Sequence, residues 1–593
     1  MKKSILALIA ALALLGSAPS FAQEPNDKQQ RETKERQELE KKTLALLNEV
    51  ASASWGLKAV ENRSFVMAAA ADLLWDSDQK RARTLYWDAM NSLNLSSVGR
   101  SSTENPSKAD LQKLQQEFVI VFELRQTMLR KVARRDAQLA LDMLRATRQV
   151  QFQKSDGGVQ FLDDRELEQE IAAEVVARDP AQALQLARES LAKGFSYQLL
   201  NLLYLLNRKD REKATQFAGE IIAKLRSANL ATDQRASTIA TELVESSRNR
   251  SSRLVNSSAI SGPTPLALTD EQKRELVDSL TNAALTVSAN SSLLYEIRQL
   301  TAEIDQFFPE RRQALEKKLA AFNQTLSKDQ RAGDEFDTLI REGRAEELVR
   351  KAASAEAEKN RPVWYGQAVL IAVGNGQADS FREFISREIK DEGERNKALE
   401  FLDYQELELA VYKKRADDLQ KLLPKLRRKE QRARAMAELA IMLKEKGDDH
   451  AATSLLDEAA TLIKTNMKDE SQATALLALL GAYALVDPPK AFAMAERTID
   501  QANDQLAALL LLDRVFKSGV LRKGEILLEQ SAVLPIDFMV FKYRKSMLAL
   551  AKADFGRTRA LADRFDRNEL RVMARLLLVM SLMQTTNQYE TSN

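Results

Sequence analysis

"ARDPAQALQLARESLAKG" (residues 177–194) sets Asp179 in front of Pro180, places Ala183 four residues after the aspartate, and runs on in strong helix formers. An Asp side chain accepts from the free N–H groups of a first helical turn and favours its positive end, a contribution of about 1 kcal/mol. Pro180 falls at the first helical position, where its missing N–H costs nothing. Ala183, one turn later, is small enough to let a preceding helix approach closely. The stretch therefore reads as the point where one helix turns back on another. Nearly the same arrangement returns as "LVDPPKAFAMAERTID" (485–500), with Asp487, Pro488 and Ala491.

Four further pairs share the Asp-x-x-x-Ala spacing: Asp78 with Ala82, Asp136 with Ala140, Asp210 with Ala214, and Asp448 with Ala452. Each stands where an apolar-periodic helix ends and another begins. The alanines lie 58, 43 and 31 residues apart in the first group and 39 apart in the second. Two-helix repeats occupy about 34 to 47 residues, and the long step accommodates a Ser-rich insertion, "NLSSVGRSSTENPSK", at 94–108. Composition agrees. Gly 19 and Pro 12 in 593 residues are about 3% and 2%, against the usual ~7% and ~5%, so turns are few and helix formers dominate. The chain is predicted to be all-α, a stack of antiparallel helix hairpins.

The best single repeat is "ARAMAELAIMLKEKGDDHAATSLLDEAATLIKTN" (433–466). Met436, Leu439, Ala440, Leu443, Gly447, Ala452, Leu456 and Ala459 alternate large and small positions in an order that resembles the tetratricopeptide repeat. The following unit, to about residue 501, has Leu477, Leu480, Gly481 and Ala491, with a turn about two residues shorter than the family's and no proline closing its second helix. The resemblance is good over 433–501 and loose elsewhere. It implies a right-handed α-solenoid that binds proteins or peptides along a concave surface.

Ser, Asn, Gly262, Pro263 and Pro265 interrupt the helical pattern at 249–268, and Thr269 with Gln272 forms a capping box for the next helix. This divides the protein into two lobes, 23–248 and 269–593. A second weak point is expected at 516–538, around Gly519, Gly524 and Pro535. The final helices, including "ELRVMARLLLVMSLM", are expected to cap the apolar end of the stack.

Lys2 and Lys3, an apolar run from Ile5 to Leu15, and small residues at the third and first positions before a cut after Ala22 read as a secretory signal peptide, 1–22. The apolar run is near half the ~20 residues that a membrane span needs. An exported protein, periplasmic or secreted, is expected. Losing residues 1–22 turns 88 basic against 85 acidic residues into 86 against 85, a balance that gives no reason to expect nucleic acid as a partner. Cys is absent, which removes disulfides, thiolate zinc sites and Cys nucleophiles together.

No stretch specifies a reaction. His450 is the only histidine and falls in a turn. Ser77 to Lys80 and Ser190 to Lys193 match Ser-x-x-Lys without the companion elements of acylating enzymes. Gly519 to Gly524 has phosphate-loop spacing, but Glu525 stands where Lys is required. The acid pairs Asp163-Asp164, Glu346-Glu347 and Asp417-Asp418 read as solvated helix faces. Glu245-Ser246 lacks the Gly-Leu-Met-Gln-type segment of the lytic transglycosylases, which also carry helical superhelices. No catalytic, metal or cofactor site is expected. The most uneven charge lies at 413–434, with ten bases and three acids. Lys413, Lys414, Arg415, Lys425, Arg427, Arg428, Lys429, Arg432 and Arg434 form a candidate patch for an acidic partner or an anionic envelope surface. Trp55, Trp75, Trp87 and Trp364 are expected in the core. The reading is a non-catalytic envelope scaffold that binds a protein or peptide; the alternative is a polysaccharide-acting enzyme of transglycosylase or glycosidase type built on the same helices.

Overall fold

The computed structural model describes residues 24–93, 108–147, 164–248, 265–289, 291–353, 360–463, 469–516, 521–528 and 536–583. The expected signal peptide, residues 94–107 of the Ser-rich insertion and residues 249–264 of the expected linker lie outside the described residues.

Helix α1 (Glu24–Ala53) precedes five hairpins. They pair α2 (Val60–Leu74) with α3 (Gln79–Ser92), α4 (Lys108–Arg135) with α5 (Ala137–Ala146), α6 (Asp164–Val175) with α7 (Pro180–Lys193), α8 (Gln198–Lys209) with α9 (Arg211–Leu225), and α10 (Gln234–Ser246) with α11 (Asp270–Thr286). Three shorter elements follow: α12 (Ser292–Ile297), α13 (Thr301–Phe307) and α14 (Arg312–Thr325). Hairpins resume with α15 (Lys328–Arg341) and α16 (Ala345–Ala352), α17 (Arg361–Gly374) and α18 (Ala378–Glu388), and α19 (Glu392–Tyr412) and α20 (Ala416–Leu422). They continue with α21 (Lys429–Glu445) and α22 (Asp449–Leu462), then α23 (Glu470–Val486) and α24 (Pro488–Phe516). Strands β1 (Leu521–Arg522) and β2 (Glu525–Ile526) form a small antiparallel hairpin, and α25 (Ile536–Ala553), α26 (Phe555–Asp563) and α27 (Asn568–Met583) end the described chain. The described residues form a stack of antiparallel helix hairpins with one two-stranded hairpin, an all-α solenoid.

The six Asp-Ala pairs do what their chemistry predicts. Asp78 accepts from the Arg81 N–H at 3.0 Å, Asp136 from Leu139 at 2.9 Å, and Asp179 from Ala181 and Gln182 at 3.0 and 2.9 Å. Asp210 accepts from Lys213 at 3.1 Å, Asp448 from Ala451 at 3.0 Å, and Asp487 from Lys490 at 3.2 Å. Ala82, Ala140, Ala183, Ala214, Ala452 and Ala491 are all 0% exposed, so no larger side chain fits without moving a helix. Asp233, Asp391, Asp469 and Asp554 cap further helices. Thr269 and Gln272 complete the expected capping box. Gly447 takes φ +86° at the turn into α22, which an L side chain rarely adopts. At Gly481 a Cβ would lie 3.2 Å from the Ser546 hydroxyl, which donates to the Gly481 carbonyl, so the glycine lets α25 press against α23.

Neighbouring repeats are stitched by polar contacts about one repeat apart in sequence. Arg188 pairs with Glu220, Arg361 with Glu394 at 3.4 Å, and Lys490 with Asp457 at 2.8 Å, separations of 32, 33 and 33 residues. From α2 to α10 and again from α15 to α23, the first helix of each hairpin packs on the first helix of the next, whereas second helices meet over only parts of the stack. The more crowded layer follows the shorter circumference, so the first helices line the inside.

The ends of the stack differ from the expected cap. Instead of facing solvent, α27 lays Val572, Leu576, Val579 and Met580 against Leu46, Leu47 and Val50 of α1 and the apolar residues of α2, in one continuous cluster. The weak point expected around 516–538 contains the hairpin that fastens this junction. The Glu525 carboxylate accepts from the backbone N–H groups of Lys58 and Ala59 at 2.8 and 3.0 Å and from the Asn62 amide at 3.3 Å. Ala59, the residue at the N-cap of α2, has no side-chain cap of its own. Asn62 also donates to the Ile526 carbonyl at 2.8 Å and accepts from the Leu528 N–H at 2.9 Å, occupying the place of a paired strand. Glu569 accepts from Ile526 N–H at 3.1 Å, and Arg522 lies 3.3 Å from Glu61. The solenoid therefore closes into a ring.

The apolar core does not divide at 249–268. Leu266 and Leu268 are buried in a cluster that runs from Ala137 to Phe322, so the lobes expected on either side share one core there. Adjacent clusters elsewhere meet on a single helix: Ile171 and Ala172 on α6, Leu402 and Leu407 on α19. Among the described side chains, the cluster that precedes α15 ends at Phe322 and the one that follows begins at Phe336.

Asp179→Ala is expected to destabilise the protein by about 0.5–2 kcal/mol through loss of its cap. Glu525→Ala is expected to cost more, because each buried N–H left unpaired costs about 1–3 kcal/mol. Thermal melting of the two variants checks the order, and equal, unshifted midpoints would refute both assignments.

Candidate partner-binding face

The residues that could have carried chemistry are engaged structurally. His450 is exposed in the first turn of α22. The Ser77 hydroxyl donates to the Leu74 carbonyl at 3.2 Å, and the buried Ser190 hydroxyl accepts from the Gln169 amide at 2.8 Å, while Lys193 pairs with Glu168. Lys523 and Gly524 have φ of 49° and 81° and form the turn of the closing hairpin, so the phosphate-loop spacing serves a β-turn and Glu525 is its working residue. Gly519 and Asp163 lie outside the described residues. Asp418 is 3.4 Å from Arg415, Glu346 is 3.1 Å from Arg350, and Glu347 pairs with Arg344. Ser246 donates to the Glu242 carbonyl at 2.5 Å. Among the described residues no group of three or more His, Cys, Asp or Glu side chains is placed to hold a metal ion, and no helix is long and apolar enough to cross a membrane.

The basic segment 413–434 is folded into the repeat boundaries. Arg415 faces Asp418, Lys425 pairs with Asp379 of α18, and Arg427 donates to the Asn396 side-chain Oδ1 at 3.2 Å. Arg428 stands 3.7 Å from both Glu400 and Glu430, and Arg432 donates to the Leu426 carbonyl at 3.1 Å. Arg434 is buried, 2.5 Å from Glu408 and 5.7 Å above the Tyr404 ring. Lys413, Lys414 and Lys429 point outward. Acids from the preceding repeats, α18 and α19, thus neutralise much of a charge that looks one-sided along the sequence.

The tryptophans separate. Trp75 and Trp364 are buried and Trp87 is half-buried, but Trp55 is 52% exposed, contrary to expectation. It sits in the short 3-10 turn Ser54–Gly56, where Ser54 and Leu57 take the buried positions.

The large exposed side chains of the described residues follow a simple rule. Trp55 apart, they are Tyr197, Tyr204, Tyr295, Val363, Tyr404 and Tyr412; they stand on the first helices α8 (with its N-cap), α17 and α19, or on the short α12, which packs on the first helix α10 and continues that layer. Arg298 stacks on Tyr295 at 4.9 Å, as Arg434 does on Tyr404. Two open depressions accompany this layer. One, of about 850 Å³, is lined by Arg298, just after α12, on one side and by Glu335, Thr338, Leu339, Arg350 and Lys351 of α15 and α16 on the other. The second, about 600 Å³, is formed by Tyr197, Asp233, Gln234 and Arg235.

Beneath the tyrosines, half-buried carboxylates join successive first helices. Arg130 of α4 lies 3.8 Å from Glu170 of α6, which accepts from Gln198 of α8 at 3.1 Å. Thr238 of α10 donates to Glu296 of α12 at 2.7 Å. Burial pushes the Glu170, Glu296 and Glu406 carboxyls above their ordinary range, against the opposing pull of Arg130, of the hydroxyls of Thr238 and Ser237, and of Arg382 respectively.

No protein-family model matches the chain, and no curated protein matches it. Among solved structures the chain is similar to the APC/C hetero-tetramer Cut9-Hcn1, at 13% identity over 89% of this chain and 99% of that one, with a TM-score of 0.19. It is also similar to a circular tandem repeat protein with novel repeat topology and enhanced subunit contact surfaces, at 13% identity over 91% and 96%, with a TM-score of 0.15. Overlays this loose carry no argument, and the architecture rests on the helix packing itself.

The Glu296 carboxyl yields a pH signature. Its folded value is raised above an unfolded value of about 4.3, so the native state binds the proton more tightly, and wild-type stability falls as pH rises through that window. Glu296→Gln keeps an acceptor for Thr238 and has no proton to lose. The advantage of the variant over wild type is expected to grow from about pH 4.3 upward until the folded value is passed, as urea unfolding at a series of pH values reads directly. A difference that does not change with pH would mean the buried carboxylate carries its charge at no cost.

Proposed function

We propose that this chain is an exported, non-catalytic helical-repeat scaffold of the cell envelope, holding a protein or peptide partner against its first-helix layer. The observation that carries the reading is the confinement of the exposed tyrosines to that layer. Tyr supplies a large amphipathic contact area while ordering only two side-chain torsions, and it is enriched at the energetic centres of interfaces. Side chains of this size left exposed on one layer of a folded stack suit a contact with another molecule. Lys413, Lys414 and Lys429 offer a smaller contact to an acidic partner or an anionic envelope surface. Export is supported by the basic, apolar and small-residue order of residues 2–22.

Two measurements test the reading. Full-length protein used as bait on envelope extract is expected to retain a partner that Tyr204→Ser/Tyr295→Ser/Tyr404→Ser loses, with the fold of the triple variant verified by its helical circular dichroism and melting. Retention by both baits, or by neither, would count against a tyrosine-bearing binding face. N-terminal sequencing of the protein from its native cells is expected to begin at Gln23 in the extracytoplasmic fraction. Recovery of an intact Met1 form from cytosol would refute export.

A further inference from the structure

We propose that the turn from α19 to α20, Tyr412 to Arg415, is a docking point for an acidic segment of a protein partner, and that Lys414 is held there for its charge against the turn's own preference. Four successive hairpins turn in the same way. The N–H groups of Gly343, Gly376, Lys414 and Gly447 donate to the carbonyls three residues back, at 3.0–3.1 Å. Those of Arg344, Gln377, Arg415 and Asp448 donate five residues back, to Leu339, Ala372, Ala410 and Leu443, at 2.8–3.0 Å. This helix ending puts one residue in the left-handed region, which glycine occupies without a steric penalty and an L side chain does not. The φ values are 70°, 72°, 49° and 86° in chain order. Three of the four turns use glycine there, and the third in order uses lysine. The Lys414 side chain is exposed and makes no hydrogen bond and no ion pair among the described residues, so nothing in the fold accounts for it. A side chain kept where the backbone favours none points to a contact outside the molecule.

The surroundings give that contact its chemistry. Tyr412, at 56% exposure, is the most open aromatic ring among the described residues. Lys413 beside it is exposed and also has no ion pair among the described residues, whereas Arg415 faces Asp418 at 3.4 Å. Glu445, at the end of the next first helix, is already taken: the Lys545 ammonium 2.8 Å away holds its carboxyl below the ordinary range, and the Lys414 charge adds to that pull. Two ammonium groups and a phenol ring thus stand ready for carboxylates on a chain that also carries apolar side chains. Tyr404 lies eight residues before Tyr412 on α19, about 12 Å along the axis, so a segment lying on the tyrosine-bearing layer meets the turn as it leaves over the edge of the ring. An anionic bilayer suits the turn less well. It presents phosphates as a continuous sheet and would meet the exposed Asp417 and Asp448 of the same edge, whereas a single peptide can set its acids on Lys413 and Lys414 and avoid both. The inference rests on the partner-binding reading above and names the chemistry at one end of that contact.

The test uses the full chain and a short fluorescein-labelled peptide of glutamates around a single phenylalanine, with the glutamine-for-glutamate peptide as control. Fluorescence anisotropy is expected to show wild type binding the glutamate peptide more tightly than the control, and less tightly as salt is raised. Lys414→Gly is expected to weaken the glutamate peptide about three- to fivefold, as the loss of one exposed charge contact would. The same variant is expected to leave the control peptide unchanged and to melt no lower than wild type, because glycine suits the left-handed turn. Lys414→Arg is expected to keep the affinity. A lysine that serves only the fold would behave in the opposite way, with a lower melting point for Lys414→Gly and an unchanged preference for glutamate, and that result would overturn the proposal. Equal binding of the two peptides by wild type would overturn it as well. Phosphatidylglycerol vesicles form a third arm: Lys414-dependent binding to them without binding of the glutamate peptide would replace the peptide by a membrane. Loss of the Lys414 effect while the tyrosine-dependent partner is still retained would refute this turn alone. A Lys414 effect with no tyrosine-dependent partner would refute the layer and keep the turn.

Discussion

The carboxylate of Glu525 is the contact on which the closed architecture turns. A helix begins with N–H groups that have no intrahelical partner, and at several helices of this chain, α3, α5, α7 and α9 among them, an aspartate one residue ahead satisfies one or two of them. At α2 the preceding residue is Ala59, which has no acceptor, and the acceptor comes from residue 525 instead. A buried carboxylate is costly without donors, and buried N–H groups are costly without an acceptor. Each end of the chain thus holds half of a pair that neither can leave unmade. Asn62 adds geometric specificity by presenting a donor and an acceptor to the backbone around Ile526, so the hairpin docks in one position only. Apolar packing of α27 on α1 and α2 supplies the bulk of the attraction; the polar set decides where it applies.

The same division of labour runs through the repeats. Alanine at the crossing points lets helices approach, aspartate caps start the second helices, and arginine or lysine reaches back about one repeat to an acid. Surface ion pairs of this sort contribute little individually. Their regularity instead fixes how far each hairpin rotates on the last, and hence whether a stack this long returns to its starting point. The segment 413–434 illustrates this. Lys425 meets Asp379, Arg428 meets Glu400 and Arg434 meets Glu408, so much of the charge excess measured along the sequence is neutralised once the neighbouring repeats are in place.

Much of the fold was legible because its determinants are local. Caps at Asp78, Asp136, Asp179, Asp210, Asp448 and Asp487, the box at Thr269, and Gly447 and Gly481 act within or between adjacent helices, and their spacing announces them. Closure was not legible, because Glu525 and Asn62 are polar residues with no periodicity linking them across more than 460 positions. The hairpin's glycine and turn residues instead suggested a weak point. The continuity of the core past residue 265 was hidden for the opposite reason: the Ser- and Pro-rich stretch before Leu266 is conspicuous in the sequence, yet Leu266 and Leu268 are buried in the cluster that continues from the preceding helices. Trp55 and the tyrosines also escaped, since apolar periodicity ranks every aromatic as core and says nothing of which layer faces a gap.

Closure by the sequence's two ends bears on how the molecule is made. A contact between residues near 60 and near 525 is about as non-local as this chain permits, and joining the ends of a loop carries an entropic cost that rises with the logarithm of its length. During synthesis the first repeats can collapse one by one, but α1 and α2 keep an uncovered apolar flank and an unsatisfied first turn until the hairpin and α27 emerge. The apolar flank of α1 and α2 is thus covered only once α27 is in place. Truncated or stalled chains stay marked for recognition by whatever binds exposed apolar helix faces.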